Sequence, residues 1–155
     1  MTSSVPAVGA PAPDFTLRST TGENLTLSSL KGRNVLLAFF PLAFTSTCTE
    51  ELCDMRDDYD QFASANTVVL PISVDSVDTL KEFRAKHGFK SDFLSDFKRE
   101  VSRLYGVLIE DRFYSNRAYF LIGPDGVIRW EHVEEHPGHK RSNAELFAQI
   151  EKLAA

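Results

Sequence analysis

Cysteine is scarce in this sequence: Cys48 and Cys53 are the only two among 155 residues. Two thiols are too few for the disulfide framework of a small secreted domain. They stand five positions apart, so the C-x-x-C spacing of a dithiol redox motif is missing too. No apolar run reaches the length of a membrane span. Met1 to Ala10 has neither the basic start nor the apolar stretch of a secretory signal. The expected compartment is therefore the cytoplasm. Positive charge is not in excess. The formal net charge is −5, and the basic residues are scattered. An RNP-like aromatic pair and zinc-finger spacing are both missing, so a nucleic acid is not an expected partner.

What is present is a globular composition, 43% hydrophobic with 12 phenylalanines. The length suits one domain with a real core, and neither a repeat nor a linker interrupts residues 1–155. The run Val35-Leu36-Leu37-Ala38-Phe39-Phe40 reads as a buried central strand. Pro41 ends it, having no N–H for a ladder. Cys48, Leu52, Met55, Tyr59 and Phe62 then recur at spacings of four, three, four and three, which predicts a helix to about Ala63. Cys48 thus falls near a helix N-terminus just beyond a core strand. Open α/β folds place chemistry there, and the free N–H groups and dipole of the helix favour a thiolate. The plainer reading is a small buried cysteine packed under a helix.

The rest of the chain is read in order. Met1 to Ala12 is a loose arm. Phe15 to Leu17 and Leu25 to Leu27 are short strands joined by a turn at Thr20 to Glu23. Ser28 to Gly32 is a helical turn. Thr67 to Val74 is an apolar strand with a bulge at Pro71. Ser76 caps a helix that buries Val77, Leu80 and Phe83 and stops near Gly88. Phe93-Leu94 is a strand. Lys98 to Tyr105 is a helix with Val101, Leu104 and Tyr105 inward. Ala118 to Ile122 and Val127 to Val133 form a hairpin about Gly123 to Gly126. Ser142 and Glu145 form a capping box for a last helix buried through Leu146, Ile150 and Leu153. This order predicts an α/β mixed sheet with helices on both faces.

Pro41, Thr45 and Cys48 match P-x-x-x-T-x-x-C, the active-site motif of the peroxiredoxins, and Arg117 precedes a strand where that family carries a second active-site residue. The surrounding Ser115 to Ile122 is similar as well, and the likeness runs from about Pro11 to Leu153. The resemblance implies a thioredoxin-like fold with an N-terminal β extension. It implies reduction of hydrogen peroxide and organic hydroperoxides through a Cys48 sulfenic acid, without metal, haem or flavin. A thioredoxin-like or mycoredoxin-like donor would recycle the enzyme, as a homodimer or a monomer. Phe39 to Thr45 resembles the one-cysteine alkyl hydroperoxide reductase E group. Cys53 instead matches the resolving cysteine of bacterioferritin comigratory protein (PrxQ) members. Resolution by Cys53 and resolution by an external thiol, with Cys53 a bystander, both stand at this point. A disulfide exchanger and a non-catalytic binding or chaperone module are the rival classes. The missing C-x-x-C opposes the first, and intact Cys48, Thr45 and Arg117 oppose the second.

Each residue has a role by this resemblance and a plainer one. Cys48 is the nucleophile. Thr45 hydrogen-bonds the thiolate or a peroxide oxygen, or merely steadies its loop. Arg117 holds the developing oxyanion, or forms a structural ion pair. Pro41 shields the site and ends the strand. Phe39, Phe40 and Phe44 are an apolar collar or plain core, and Glu51 is a helix-dipole partner. His132, His136 and His139 read as an exposed acidic loop rather than a metal site, because Pro137 and Gly138 interrupt any helix that would align them. Trp130 is core or dimer surface, and Asp57-Asp58 a solvated face. A disulfide between Cys48 and Cys53 would require unwinding. Five residues of helix advance about 7.5 Å and leave the side chains roughly 140° apart, whereas a disulfide needs Cα atoms within about 7 Å.

Overall fold

The apolar run before the cysteine motif does become the centre of a sheet. The computed structural model describes residues 4–136 and 139–154, and for Cys48 and Ala154 it describes the backbone only. The strands are β1 (Thr16–Ser19), β2 (Asn24–Thr26), β3 (Asn34–Phe39), β4 (Thr67–Ser73), β5 (Leu94–Ser95), β6 (Leu108–Ile109), β7 (Tyr114–Ser115), β8 (Ala118–Ile122) and β9 (Ile128–Val133). The α-helices are α1 (Ser46–Asp57), α2 (Tyr59–Ser64), α3 (Val77–His87), α4 (Glu100–Leu104) and α5 (Asn143–Ala154), with a 3-10 helix at Leu27–Leu30. Seven strands form one mixed sheet in the order β2-β1-β5-β4-β3-β8-β9. β3 pairs in parallel with β4 and antiparallel with β8. Every residue of β3 is buried, which explains its unbroken apolar sequence.

Alternate side chains of β3, continued by Phe40 just beyond it, serve two cores. Leu36, Ala38 and Phe40 pack with Leu52, Met55, Phe62, Leu80, Phe83, Leu146 and Ile150 beneath α1, α2, α3 and α5. Val35, Leu37 and Phe39 pack with Phe15, Leu27, Val101 and Tyr105 on the other face. Burying each such large side chain contributes about 1.5–3 kcal/mol. Helices therefore lie on both faces, as the order of elements predicts. Phe39 and Phe40 are fully buried core, and of the three phenylalanines read as a collar only Phe44 is exposed.

Several details differ from the sequence-based expectations. Pro71 makes no bulge: β3 and β4 stay in register from Asn34↔Thr67 to Phe39↔Ile72. The Ile72 carbonyl accepts from Phe40 N–H, so Ile72 faces β3 and Pro71 faces the opposite side. There β5 pairs only from Ile72 onward, so the missing N–H leaves no ladder bond unmade. The cysteine helix stops at Asp57 and restarts at Tyr59, with Asp58 at φ −105, ψ 17. The N-terminal arm is tied down: Gly9 N–H donates to Ile128 O, and Ala12 N–H to Gly126 O. Leu104 is exposed, since the five-residue α4 turns only Val101 inward among its apolar residues, with Tyr105 buried just beyond it. The β6–β7 ribbon has no counterpart among the predicted strands.

The caps follow the sequence closely. Ser76 Oγ accepts from Thr79 N–H at 3.2 Å, and Gly88 closes α3 at φ 65, a conformation open to glycine. Ser142 Oγ likewise accepts from Glu145 N–H. Among the described residues no helix is long and apolar enough to cross a membrane.

Candidate active site

β3 delivers the chain through buried Pro41 into a loop that ends at Thr45, the residue before α1. Phe44 has φ 66, a costly conformation for an aromatic residue. Its neighbours hold it there. Ala43 N–H donates to Asp75 Oδ2 at 2.8 Å, and that oxygen also accepts from Ser73 Oγ at 2.7 Å. The Phe44 ring meets Phe83 edge-on at 4.9 Å, with Lys86 Nζ 5.8 Å from its centroid. Asp75, at the end of β4, is thus a strut for the loop. Asp75→Ala leaves the Ala43 amide unsatisfied and should lower stability by about 1–3 kcal/mol. Urea unfolding reads this directly, and Asp75→Asn, which keeps an acceptor, should lose less.

Cys48 is the third residue of α1. Thr45 does not cap the helix with its side chain. Its hydroxyl donates instead to Leu42 O at 2.7 Å, while its carbonyl accepts from Thr49 N–H at 2.9 Å. The first turn therefore keeps amide donors and the positive end of the dipole at Cys48. With its proton committed to Leu42, Thr45 Oγ1 presents lone pairs to any incoming donor.

Arg117 arrives from the strand side, just before β8, with its side chain fully buried. Its Nη1 donates to Glu51 Oε1 at 2.6 Å, and Glu51 is 2% exposed. Tyr119 OH donates to the other Glu51 oxygen and accepts from Arg141 N–H at 3.0 Å. Burial pushes the Glu51 carboxyl up, opposed first by Arg117 and then by Tyr119. Burial also pushes the Tyr119 phenol up, with the Glu51 charge adding to it, so Tyr119 stays a donor. Backbone anchors fix the Arg117 segment. Asn116 Oδ1 accepts from Arg117 N–H, Arg117 O accepts from Glu134 N–H, and Ser115 Oγ donates to Phe40 O.

Glu51 is the residue at the site whose setting sequence reasoning missed. It is not the helix-dipole partner expected but a buried counter-ion to Arg117, one helical turn after Cys48. The signal was available: Glu51 precedes Met55 by four positions on the buried stripe, where a lone charge needs a partner. The fold thus brings Pro41, Thr45, the Cys48 backbone and Arg117 to one end of β3 and β8.

Cys53 lies apart from that cluster. It is a free, half-buried thiol packed against the core under α1, with Sγ 4.0 Å from His87 Nδ1. His132 Nε2 lies 2.9 Å from Glu134 Oε1, and the His136 and His139 rings are 5.6 Å apart. The interruption read at Pro137 and Gly138 lies outside the described residues. Trp130 is half-buried against the same core and stacks on His132. Asp57 is exposed and pairs with Arg56, while Asp58 accepts from Asn143.

A mixed α/β sheet with a cysteine in the first turn of the helix after its central strand, and a buried Arg–Glu pair one turn on, defines a thioredoxin-like protein of the peroxiredoxin type. The AhpC/TSA family profile matches residues 8–131, and the chain belongs to this family. It is 42% identical over 137 residues to alkyl hydroperoxide reductase E of Mycobacterium tuberculosis, covering 86% of this chain and 89% of that one. It is 40% identical over 127 residues to the putative peroxiredoxin bcp of Coxiella burnetii, covering 78% and 84%. The reduced 2-Cys peroxiredoxin of Plasmodium vivax superposes with a TM-score of 0.88 at 30% identity, covering 96% and 83%. The chain is accordingly an enzyme of the thiol-dependent peroxidase class.

Proposed function

We propose that Cys48 reduces hydrogen peroxide and organic hydroperoxides, and that Cys53 resolves the resulting sulfenic acid within the same chain. The observation that carries the first part is the buried Arg117–Glu51 pair at the Cys48 turn. A free thiol has a pKa near 8.5, so only a few per cent is thiolate at neutral pH. Lowering it to about 6 gains only about thirtyfold and weakens the nucleophile. Most of the acceleration must come from stabilising charge as the O–O bond breaks. Arg117 is suited to this, with a fixed guanidinium whose orientation Glu51 sets. Thr45 Oγ1 can accept a hydrogen bond from the hydroperoxide O–H and so align the oxygen for attack. The Cys48 sulfur takes one oxygen as S–OH, and water or an alcohol leaves after protonation.

Resolution requires Thr49 to Leu52 to unwind. The chain is built for a boundary there. Asp54 Oδ2 pairs with Lys140 Nζ at 2.8 Å, Asn143 Nδ2 donates to Asp54 O and Asp58 Oδ2, and Arg56 Nη1 donates to His87 O. These bonds pin α1 from Asp54 onward, and Cys53 borders that pinned part. Unwinding the first turns releases Glu51 from Arg117 but leaves Cys53 in place to receive Cys48. A thioredoxin-like or mycoredoxin-like dithiol then reduces the disulfide, acting on a homodimer or a monomer in the cytoplasm.

Intact mass after one equivalent of peroxide, without added thiol, tests the assignment. Loss of about two mass units, with a peptide linking Cys48 to Cys53, is expected. A persistent sulfenic acid trapped by dimedone, with Cys53 still alkylatable, transfers resolution to an external thiol.

A further inference from the structure

We propose that His87 is the general base that prepares Cys53 to attack oxidised Cys48; this rests on Cys53 being the resolving thiol. Cys53 and His87 lie 34 residues apart in sequence, on α1 and α3, yet Sγ and Nδ1 are 4.0 Å apart. That is the outer limit of a hydrogen-bonding separation for sulfur. With the ring proton on Nε2, Nδ1 is the acceptor that takes the thiol proton. The ring is held for this. It meets Phe83 edge-on at 5.1 Å and Phe89 at 5.7 Å. The His87 carbonyl accepts from Arg56 Nη1 at 2.7 Å, which ties the end of α3 to the α1 residue three positions after Cys53.

Cationic side chains lie on both helices that carry the pair. From α1 comes Arg56, whose guanidinium is held above its ordinary range by the hydrogen bond to Asp57 and further by the Cys53 sulfur. From α3 come Lys86, over the Phe44 ring, and Arg84, which donates to Ser91 O and pairs with Asp92. Asp57, the acid adjoining Arg56, is engaged by it at 2.9 Å. His87 is half-buried, so a proton received from Cys53 has a route to water. A merely structural role for His87, closing the aromatic cluster at the helix end, would not need Nδ1 directed at sulfur.

The step balances. The Cys53 S–H proton passes to Nδ1. The Cys53 thiolate attacks the Cys48 sulfenic sulfur, the S–S bond forms and the S–O bond breaks. Hydroxide departs and leaves as water with the proton from His87 or solvent. Cys53 is oxidised and the sulfenic sulfur reduced, so no further oxidant or reductant enters.

The experiment is rapid-quench alkylation and peptide mass analysis of the full chain after one equivalent of hydrogen peroxide. It follows Cys48 oxidation and Cys48–Cys53 disulfide formation separately, in wild type, His87→Gln and His87→Phe. The phenylalanine variant refills the aromatic cluster, and the glutamine keeps a polar group that cannot take a proton. In both, the ratio of disulfide formation to Cys48 oxidation should fall by up to about thirtyfold near pH 7, the factor by which a thiol with a pKa near 8.5 falls short of full ionisation. The deficit should shrink as pH rises to about 9, because the thiol then ionises unaided. Wild-type ratios in both variants overturn the proposal, as does a deficit that is the same at every pH. If wild type itself forms no Cys48–Cys53 disulfide, the resolving role of Cys53 fails and the His87 assignment falls with it. Disulfide formation at equal rates in wild type and variants removes His87 alone.

Discussion

Cys48→Ser should abolish peroxide turnover. A serine hydroxyl is essentially un-ionised at neutral pH, and transfer of oxygen to it would only make another O–O bond, so neither the thiolate nor the sulfenic acid survives. The loss should span several orders of magnitude, as for removal of any covalent nucleophile. Steady-state peroxide consumption with a dithiol donor system is the measurement, with Cys53→Ser beside it. Cys53 cannot substitute, because it sits on the α3 side of α1, packed against the core next to His87. Cys53→Ser should still consume about one equivalent of peroxide and then stall unless an external thiol resolves Cys48. Retention of more than about a tenth of wild-type turnover by Cys48→Ser would refute the nucleophile assignment. Since Cys48 sits at the start of α1 in a turn kept by backbone bonds, the substitution should leave the fold intact.

The contrast between the two cysteines reflects what a linear pattern can encode. β3 was legible because a strand buried on both faces must be apolar throughout. The α3 boundaries were legible because Ser76 and Gly88 act locally. Cys48, Thr45, Pro41 and Arg117 were legible as a motif and a flanking residue. The features that escaped are those decided by distant partners. Pro71 reads as a flaw until the side it faces is known. The break at Asp58 escaped because helical periodicity survives one non-helical residue, so Phe62 is buried as the continuous pattern requires. Two acids at the negative end of α1, together with the Asn143 bond to Asp58, favour stopping there. The N-terminal arm has no apolar signal, and backbone bonds to the final hairpin order it. Glu51 and His87 belong to this second group. Each acts through a residue far away in the sequence, and only the fold identifies which.

The proposed function gives α1 two jobs. Its first turns keep Cys48 at the Arg117 end of the sheet for the peroxide step, and must then let go for resolution. The contacts of Glu51 with Arg117 and Tyr119, and of Glu50 with Lys140, oppose release, whereas the bonds from Asp54 to Lys140 and Asn143 persist. Strengthening the first should favour the reducing state of the site and slow resolution. Alkylation of Cys53 alone should leave the peroxide step running.

Arg117→Met should both destabilise the protein and stop the peroxide step, and a second substitution separates the two effects. Removing the guanidinium strands a carboxylate that is 2% exposed, at a cost of about 3–5 kcal/mol. Part of that is relieved if Glu51 takes up a proton, in line with the upward push of burial on its carboxyl. The sign follows. With Arg117 gone, the native Glu51 pKa rises further above its unfolded value. The variant's deficit should therefore be smallest below the unfolded pKa and grow as pH rises through the native one. The double variant Arg117→Met with Glu51→Gln removes the stranded charge, and the amide oxygen it introduces still accepts from Tyr119. It should recover most of the stability, because replacing both members of a buried pair is close to neutral. The peroxide step should stay lost, since no cation remains to meet the charge that develops on oxygen. Urea unfolding at several pH values and the second-order rate of Cys48 oxidation are the two readouts. If the double variant regains stability and peroxide reactivity together, Arg117 is a structural ion pair, and stabilisation of the departing oxygen belongs to another group. If stability returns and reactivity does not, Arg117 acts on the reaction itself and Glu51 acts by holding it in place.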